Sequence, residues 1–286
     1  MIKIALKNIK ILSFLNKVPI IRYFFILKIN ENFQNIQTNP VLEKFYTDIY
    51  VKNKTSKRTA NNRFTDIDKI SLRYLDKEKI NYIHDIAVSS GITSDNFYEY
   101  LKIKNIPFQM DISDKYAQIF VKKGFTTKVF DLDNHLIFAY WGAFFAGDKN
   151  IFFPLSVLLY KIIEKYNKKY DADYALYLFH PSILKKIADN KINVIEYDIF
   201  QTERNKKYDF VRSMNILNKG YFSKSKLLTA VTNIKDSLKE NGILLVGRTN
   251  SKGINNASFF KKIANKLILL EDVNNGSEIK DLILNA

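Results

Sequence analysis

The 286-residue sequence predicts an α/β fold: a doubly wound, mostly parallel sheet with an N-terminal helical extension and an inserted β-hairpin. Three observations carry this. Short apolar runs alternate with helical patterns over residues 81–248, the signature of βαβ units. Several of those runs end in an acid or a small polar residue, which suits the ligand-facing carboxyl ends of parallel strands. Between them lies an aromatic-rich stretch, FTTKVFDLDNHLIFAYWGAFF, broken by the turn signal at Asp131–Asn134, and it reads as a hairpin.

The boundaries follow from composition. Residues 1–28 hold six basic residues (Lys3, Lys7, Lys10, Lys17, Arg22, Lys28) and no acid. Residues 49–65 hold five more, again without an acid. These stretches supply eleven of the sixteen surplus positive charges, so the basic character belongs to the N-terminal quarter. Residues 2–17 form a basic amphipathic helix, with its lysines gathered on one side. That helix either packs on the domain or meets an acidic partner, and an anionic membrane surface would be met through residues 1–28. The run 11–27 is apolar, but Lys17, Pro19 and Arg22 interrupt it, which argues against a membrane span. No small-residue cleavage site accompanies it, and the expected location is cytoplasmic, peripheral to the inner face of a membrane at most. Residues 30–40 are polar and end at Pro40, so residues 1–40 are expected to be an arm and linker. Residues 41–80 are expected to be a helical extension, with helices at 41–51 and 66–79, and residues 81–286 the main domain, with an insertion at about 125–190.

Within the main domain, NYIHDIAV is the first strand, and SSGITSDNFYEYLK a turn and helix. IPFQMD is the second strand, and ISDKYAQIFVKK a helix. Helices are expected at 151–170 and 181–190, with a strand at INVIEYDIF. KYDFVRSMN is a strand, 223–241 a helix closed by Gly242, GILLVGRT a strand, and ANKLILLEDV part of a terminal hairpin.

Composition excludes several chemistries. There is no cysteine, hence no disulfide, thiolate metal site or thiol nucleophile. The three histidines, His84, His135 and His180, are too few for a polyhistidine metal site, and no metal is expected. His84 lies inside the first strand and reads as structural. His135 and His180 are either bases or ordinary loop and capping histidines.

Four strand ends are chemically distinctive. After Asp85, the small residues Ala87, Ser89 and Gly91 let the backbone approach a ligand just before a helix N-terminus. Asp111 follows Gly91 by twenty residues, and an acid there suits the two hydroxyls of a ribose. Asp198 ends the third strand and suits an adenine amino group. The fourth strand carries Arg212 and Asn215.

These residues resemble the class I S-adenosylmethionine-dependent methyltransferases, whose fold is Rossmann-like. DIAVSSG looks like the family's glycine-rich first motif, with Ala87 and Ser89 in place of two glycines. Asp111 matches its ribose acid and Asp198 its adenine acid. KYDFVRSMNILNKGYFS with LLTAVTNIKDSLKENGILLVG is similar to its fourth strand, helix and fifth strand. The first of these spans is also weakly similar to the chemotaxis-receptor methyltransferase branch, although Arg212 and Asn215 are not adjacent here. The resemblance spans about residues 80–250. It implies S-adenosylmethionine as cofactor, held by Asp85, Ala87, Ser89, Gly91, Asp111, Asp198 and Arg212. It implies an acceptor near Arg212, Asn215, His135 and Trp141. Arg212 either orients a substrate or pairs internally with Asp85 or Asp198. A small-molecule or glycan acceptor is expected. The alternatives are an RNA methyltransferase and a non-catalytic membrane-surface protein. Nucleic acid is less favoured, because the main domain is nearly neutral and has no Asn/Asp-Pro-Pro-aromatic motif.

Overall fold

The computed structural model describes residues 24, 27–32, 48–50, 56–58, 60–115, 117–142, 144–147, 154–165, 171–195, 197–201 and 207–286. In chain order the elements are β1 (Asp48–Tyr50), β2 (Ser56–Arg58), α1 (Thr65–Ser71), β3 (Asn81–Ile86), α2 (Ile92–Ile103), β4 (Phe108–Ser113), β5 (Gln118–Lys122), β6 (Thr127–Phe130), β7 (Leu136–Trp141) and β8 (Phe144–Gly147). There follow α3 (Pro154–Lys165), β9 (Tyr174–Tyr177), α4 (Pro181–Ala188), β10 (Ile192–Val194), β11 (Tyr208–Met214), α5 (Lys224–Ser237), β12 (Leu238–Thr249), β13 (Asn255–Ile263), β14 (Lys266–Val273) and α6 (Lys280–Leu284). The chain divides into two compact units: unit 1 is residues 1–60 with 116–185, and unit 2 is residues 61–115 with 186–286.

Unit 2 contains the expected α/β sheet, in the order β10-β4-β3-β11-β12-β13-β14. The first five strands are parallel, and β13 and β14 close the edge as an antiparallel pair. The order therefore reverses between β3 and β11, which makes that seam the topological switch point. The central strands β3 and β11 are buried on both faces, as the inner strands of a covered parallel sheet are. Tyr208, Val211, Leu244 and Val246 lie in one core cluster with Leu227, Val231 and Ile234 of α5.

Unit 1 contains an antiparallel sheet in the order β8-β7-β6-β5-β9. The β6–β7–β8 meander is the expected hairpin extended by a strand, with Asn134 at φ 63 in its turn. On one face Phe130, Leu136, Ala139 and Ala146 pack with Tyr160 of α3. On the other, Phe24 meets Tyr140 and Phe145 edge-on at 5.2 and 5.1 Å, while Leu27 and Ile29 are fully buried. Residues 27–32 are thus not part of a free arm but pack within unit 1. The amphipathic pattern at 2–17 lies outside the described residues.

Several element expectations are corrected. ISDKYAQIFVKK is not a helix: Ile112 and Ser113 complete β4, and QIFVK is β5. Its burial alternates residue by residue, with Ile119 and Val121 inward, so the period-two pattern wins over helical propensity. Asp48–Tyr50 pair with Ser56–Arg58 as strands, where a helix was expected over 41–51; residues 41–47 and 51 lie outside the described set. The helix over 66–79 ends early, as α1 and a 3-10 turn at Leu72–Tyr74. Its continuation is cut off by the Asp76 carboxylate, which accepts the amides of Glu78 and Lys79. Gly242 does not cap α5, which ends at Ser237. It sits in a bulge of β12, where a Cβ would come within 3.0 Å of the Tyr208 carbonyl. Residues 116–185 fall in unit 1 with residues 1–60, a segment that begins and ends earlier than the insertion expected at about 125–190.

Candidate functional site

The C-terminal ends of β3, β4, β10 and β11 define the site in unit 2. The loop after β3, Ala87-Val88-Ser89-Ser90-Gly91, turns through three left-handed residues: Ala87 at φ 59, Ser89 at φ 60 and Gly91 at φ 80. Only glycine takes this conformation without strain; other L-residues lose roughly 1–2 kcal/mol each. Ala87 and Ser89 therefore hold strained backbone at the two positions where the resembled motif has glycine. Strain of this kind persists where surrounding contacts over-determine it, and it clusters at ligand sites. Here the contacts are explicit. Val88 N donates to the Ser113 carbonyl (3.1 Å), Gly91 N to the Val88 carbonyl (2.9 Å), and Ser89 N to Asp114 Oδ2 (2.8 Å). Gly91 is the N-cap of α2, so the loop delivers the chain directly to a 12-residue helix N-terminus.

Asp114 is the acid at the end of β4. Sequence reasoning placed that role on Asp111 and missed Asp114, although the apolar run IPFQMDIS extends to it. Asp111 lies in mid-strand, 1% exposed, beside His84 in the sheet. It accepts hydrogen bonds from the Tyr208 hydroxyl (2.7 Å) and Asn193 Nδ2 (3.2 Å). Its carboxylate therefore serves the interior of the sheet and not its edge. His84 is structural, as its strand position suggested: Nε2 shares a hydrogen bond with Ser113 Oγ at 2.8 Å, and its ring lies tilted against Tyr208 at 4.8 Å.

Arg212 and Asp85 are brought together, but as scaffold. They are neighbours in register on β11 and β3. Arg212 is fully buried, with Nη1 2.7 Å from Asp85 Oδ2 and Nη2 3.1 Å from Asp68 Oδ1 of α1. Ser94 Oγ also donates to Asp85 Oδ2 (2.7 Å), and the guanidinium lies 5.2 Å from the ring centroids of both Phe64 and Phe97. A guanidinium enclosed in this way has no face open to a cofactor or an acceptor. Of the two internal partners expected for Arg212, Asp85 is present; the second is Asp68, not Asp198. Burial pushes the Asp68 carboxyl up to about 7, against the opposing pull of Arg212. Burial likewise pushes Asp85 upward, while Arg212 and Ser94 oppose it.

The other predicted residues separate. Asp198 follows β10; its Oδ1 accepts the Phe200 amide (3.0 Å), and Oδ2 lies 3.6 Å from Lys115 Nζ in the loop after β4. Asn215, at φ 66, directly follows β11, and its Oδ1 accepts the Thr249 amide (2.9 Å), tying the ends of β11 and β12. His135 and Trp141 belong to unit 1. His135 is half exposed at the β6–β7 turn with Nδ1 3.4 Å from Asp131, and Trp141 is exposed near Phe125 and Phe144. His180 Nδ1 accepts the Ser182 amide (3.3 Å) at the start of α4, a capping role. Among the described residues no cluster of metal ligands occurs, and no helix is long and apolar enough to cross a membrane.

Two side chains at the switch point have hydrogen-bonding capacity to spare. Ser90, after β3, and Ser213, paired with Ile86 across the seam, are fully buried, and neither hydroxyl has a hydrogen-bond partner among the described residues.

No protein-family profile matches the chain, and no curated relative matches it. Solved structures that align with part of the chain include S-adenosylmethionine-dependent methyltransferases. The N-methyltransferase NodS from Bradyrhizobium japonicum, solved with S-adenosylhomocysteine, is 10% identical with a TM-score of 0.35, over 68% of this chain and 65% of that one. A methyltransferase from Clostridium acetobutylicum is 11% identical with a TM-score of 0.36, over 78% of both chains. The methyltransferase SibL is 10% identical with a TM-score of 0.34, over 66% of this chain. The chain spans under two thirds of the length of NodS and 38% of that of SibL.

Proposed function

We propose that unit 2 binds S-adenosylmethionine at the C-terminal ends of β3, β4 and β10, and that the protein is a methyltransferase acting on a small-molecule or glycan acceptor. One observation carries the reading. The loop 87–91 holds three alternate left-handed residues at the switch point and is clasped by an acid at the end of the next strand. Strained, small-residue backbone opening onto a helix N-terminus is what close approach of a polar ligand demands. The residues fit the cofactor's chemistry. Asp114 supplies carboxylate acceptors for ribose hydroxyls, the loop supplies backbone, and the Ser90 and Ser213 hydroxyls are orphaned polar groups that a ligand would satisfy. Asp198 stands at the adjacent strand end for the adenine. When bound, S-adenosylmethionine supplies a methyl group on a sulfonium, open to in-line displacement. The protein's own contribution is to position the cofactor and exclude water. Unit 2 carries 25 basic and 20 acidic residues, a balance that favours a small acceptor over a polyanion such as RNA.

Calorimetric titration of the full chain with S-adenosylhomocysteine tests the reading. A single site is expected; absence of binding at millimolar ligand overturns it.

A further inference from the structure

Helix α3 is turned the wrong way for a soluble surface. Tyr160 is buried, with its hydroxyl donating to the Leu136 carbonyl at 2.7 Å. On the opposite side Leu155, Leu158, Leu159 and Ile162, at i, i+3, i+4 and i+7, form an apolar stripe in which each residue is 44% to 64% exposed. A helix apolar on both sides belongs in a core or against lipid.

A second exposed group lies on the same face of the unit 1 sheet. Side chains two apart along a strand share a face. Trp141 therefore shares the face of Ala139, and Phe144 that of Ala146, the two alanines packed with Tyr160. Trp141 and Phe144 stack with centroids 5.9 Å apart, and Phe125 lies 4.8 Å from Trp141. All three rings are more than half exposed. The segment containing Phe24, Leu27 and Ile29 occupies the other face, against Tyr140 and Phe145, so it does not cover these groups.

Charge selects the occupant. Unit 1 carries 20 basic residues against 9 acidic, a surplus of 11, against 5 for unit 2. Lys161 and Lys165 flank the stripe, and both are exposed. A second copy of this chain would bring the same surplus of like charge to the contact. An anionic lipid surface accepts all the features together: leucines in the acyl boundary, rings at the headgroup level, and lysines reaching the phosphates.

We propose that unit 1 docks on an anionic lipid bilayer through the outer stripe of α3 and the Phe125–Trp141–Phe144 rings. This does not rest on the methyltransferase reading, and its test uses no cofactor. Trp141 is the sole tryptophan of the chain, so its emission reports on the patch directly. Full-length protein is titrated with vesicles of phosphatidylglycerol and phosphatidylcholine, following Trp141 emission and co-sedimentation. A blue shift that tracks sedimentation is expected. Raising the salt from 0.1 to 1 M shortens the screening length from about 10 to about 3 Å and should weaken binding. The exposed double variant Leu155→Gln/Leu159→Gln should keep its melting temperature and lose at least tenfold in partitioning, about 1.4 kcal/mol. Sedimentation without an emission change, or equal partitioning of the variant, overturns the proposal. So does self-association that the variant abolishes in a protein that ignores vesicles.

Discussion

The Ser89 amide donates to Asp114 Oδ2 at 2.8 Å, joining the strained loop after β3 to the end of β4. Asp114 therefore stands at the carboxyl end of β4, whereas Asp111 lies within the strand. Asp114→Ala should weaken S-adenosylhomocysteine binding by about 10- to 100-fold, the ~1.5–3 kcal/mol of a hydrogen bond to a charged group. Asp111→Ala should instead leave the buried Tyr208 hydroxyl without its acceptor and lower stability by ~1–3 kcal/mol. Calorimetry and denaturant melts on both variants check this; an affinity loss confined to Asp111→Ala would return the role to Asp111.

Arg212 is enclosed by Asp85, Asp68 and two phenyl rings, so its substitution should read out in stability. Arg212→Met leaves two buried carboxylates without their cation, at a cost of about 3–5 kcal/mol. Arg212→Lys should also melt earlier, because one ammonium cannot reproduce the fork that spans both acids. Unchanged melting of Arg212→Lys with loss of turnover would move the residue back into the acceptor site.

One guanidinium faces two buried carboxyls, and Asp68 is pushed up to about 7 by burial. An acid whose folded-state value lies above its unfolded value of 3.8 binds its proton more tightly when folded. Its contribution is full below about pH 4 and is lost as the pH rises towards 7. Stability from this group should thus fall between pH 4 and 7, by at most about 1.4 kcal/mol per pH unit. Asp68→Asn should flatten that slope. Urea melts at pH 5, 6, 7 and 8 on both proteins measure it, and parallel slopes would contradict the assignment.

Ala87 and Ser89 hold left-handed backbone that glycine adopts freely. Ala87→Gly and Ser89→Gly each relieve roughly 1–2 kcal/mol of strain while adding about 0.4–1 kcal/mol of unfolded-chain entropy. Each variant should be unchanged or stabilised by up to about 1.6 kcal/mol and should still bind S-adenosylhomocysteine. A loss of more than 1 kcal/mol in chemical denaturation would mean that the side chains, not the backbone, hold the loop.

What could be read directly was local. The alternation β3–α2–β4 and β11–α5–β12, the turn at Asp131–Asn134 and the small residues 87–91 are patterns within a few residues, and each is present in the fold; from Gln118 to Gly147, by contrast, four strands follow one another where a helix was expected first. The loop was legible because a run of small residues just before a helix marks a tight backbone turn wherever it occurs. Asp114 was also within reach, one residue past the end of an apolar run.

By itself, then, the sequence determined the class of sheet, the order of its elements and the position of the switch-point loop, because periodicity and turn chemistry act over short separations. Only the tertiary structure decided which charges are consumed internally. Asp68, Asp85 and Arg212 are 17 to 144 positions apart, and their pairing depends on α1 bringing Asp68 to a side chain that already faces Asp85 across two adjacent parallel strands. It also decided that β5 to β9 form a sheet of their own, packed with residues 27–32. Burial belongs to the assembled core: the same Leu, Ile and Trp residues read alike in a sequence whether they end in the interior or on the outer face of α3.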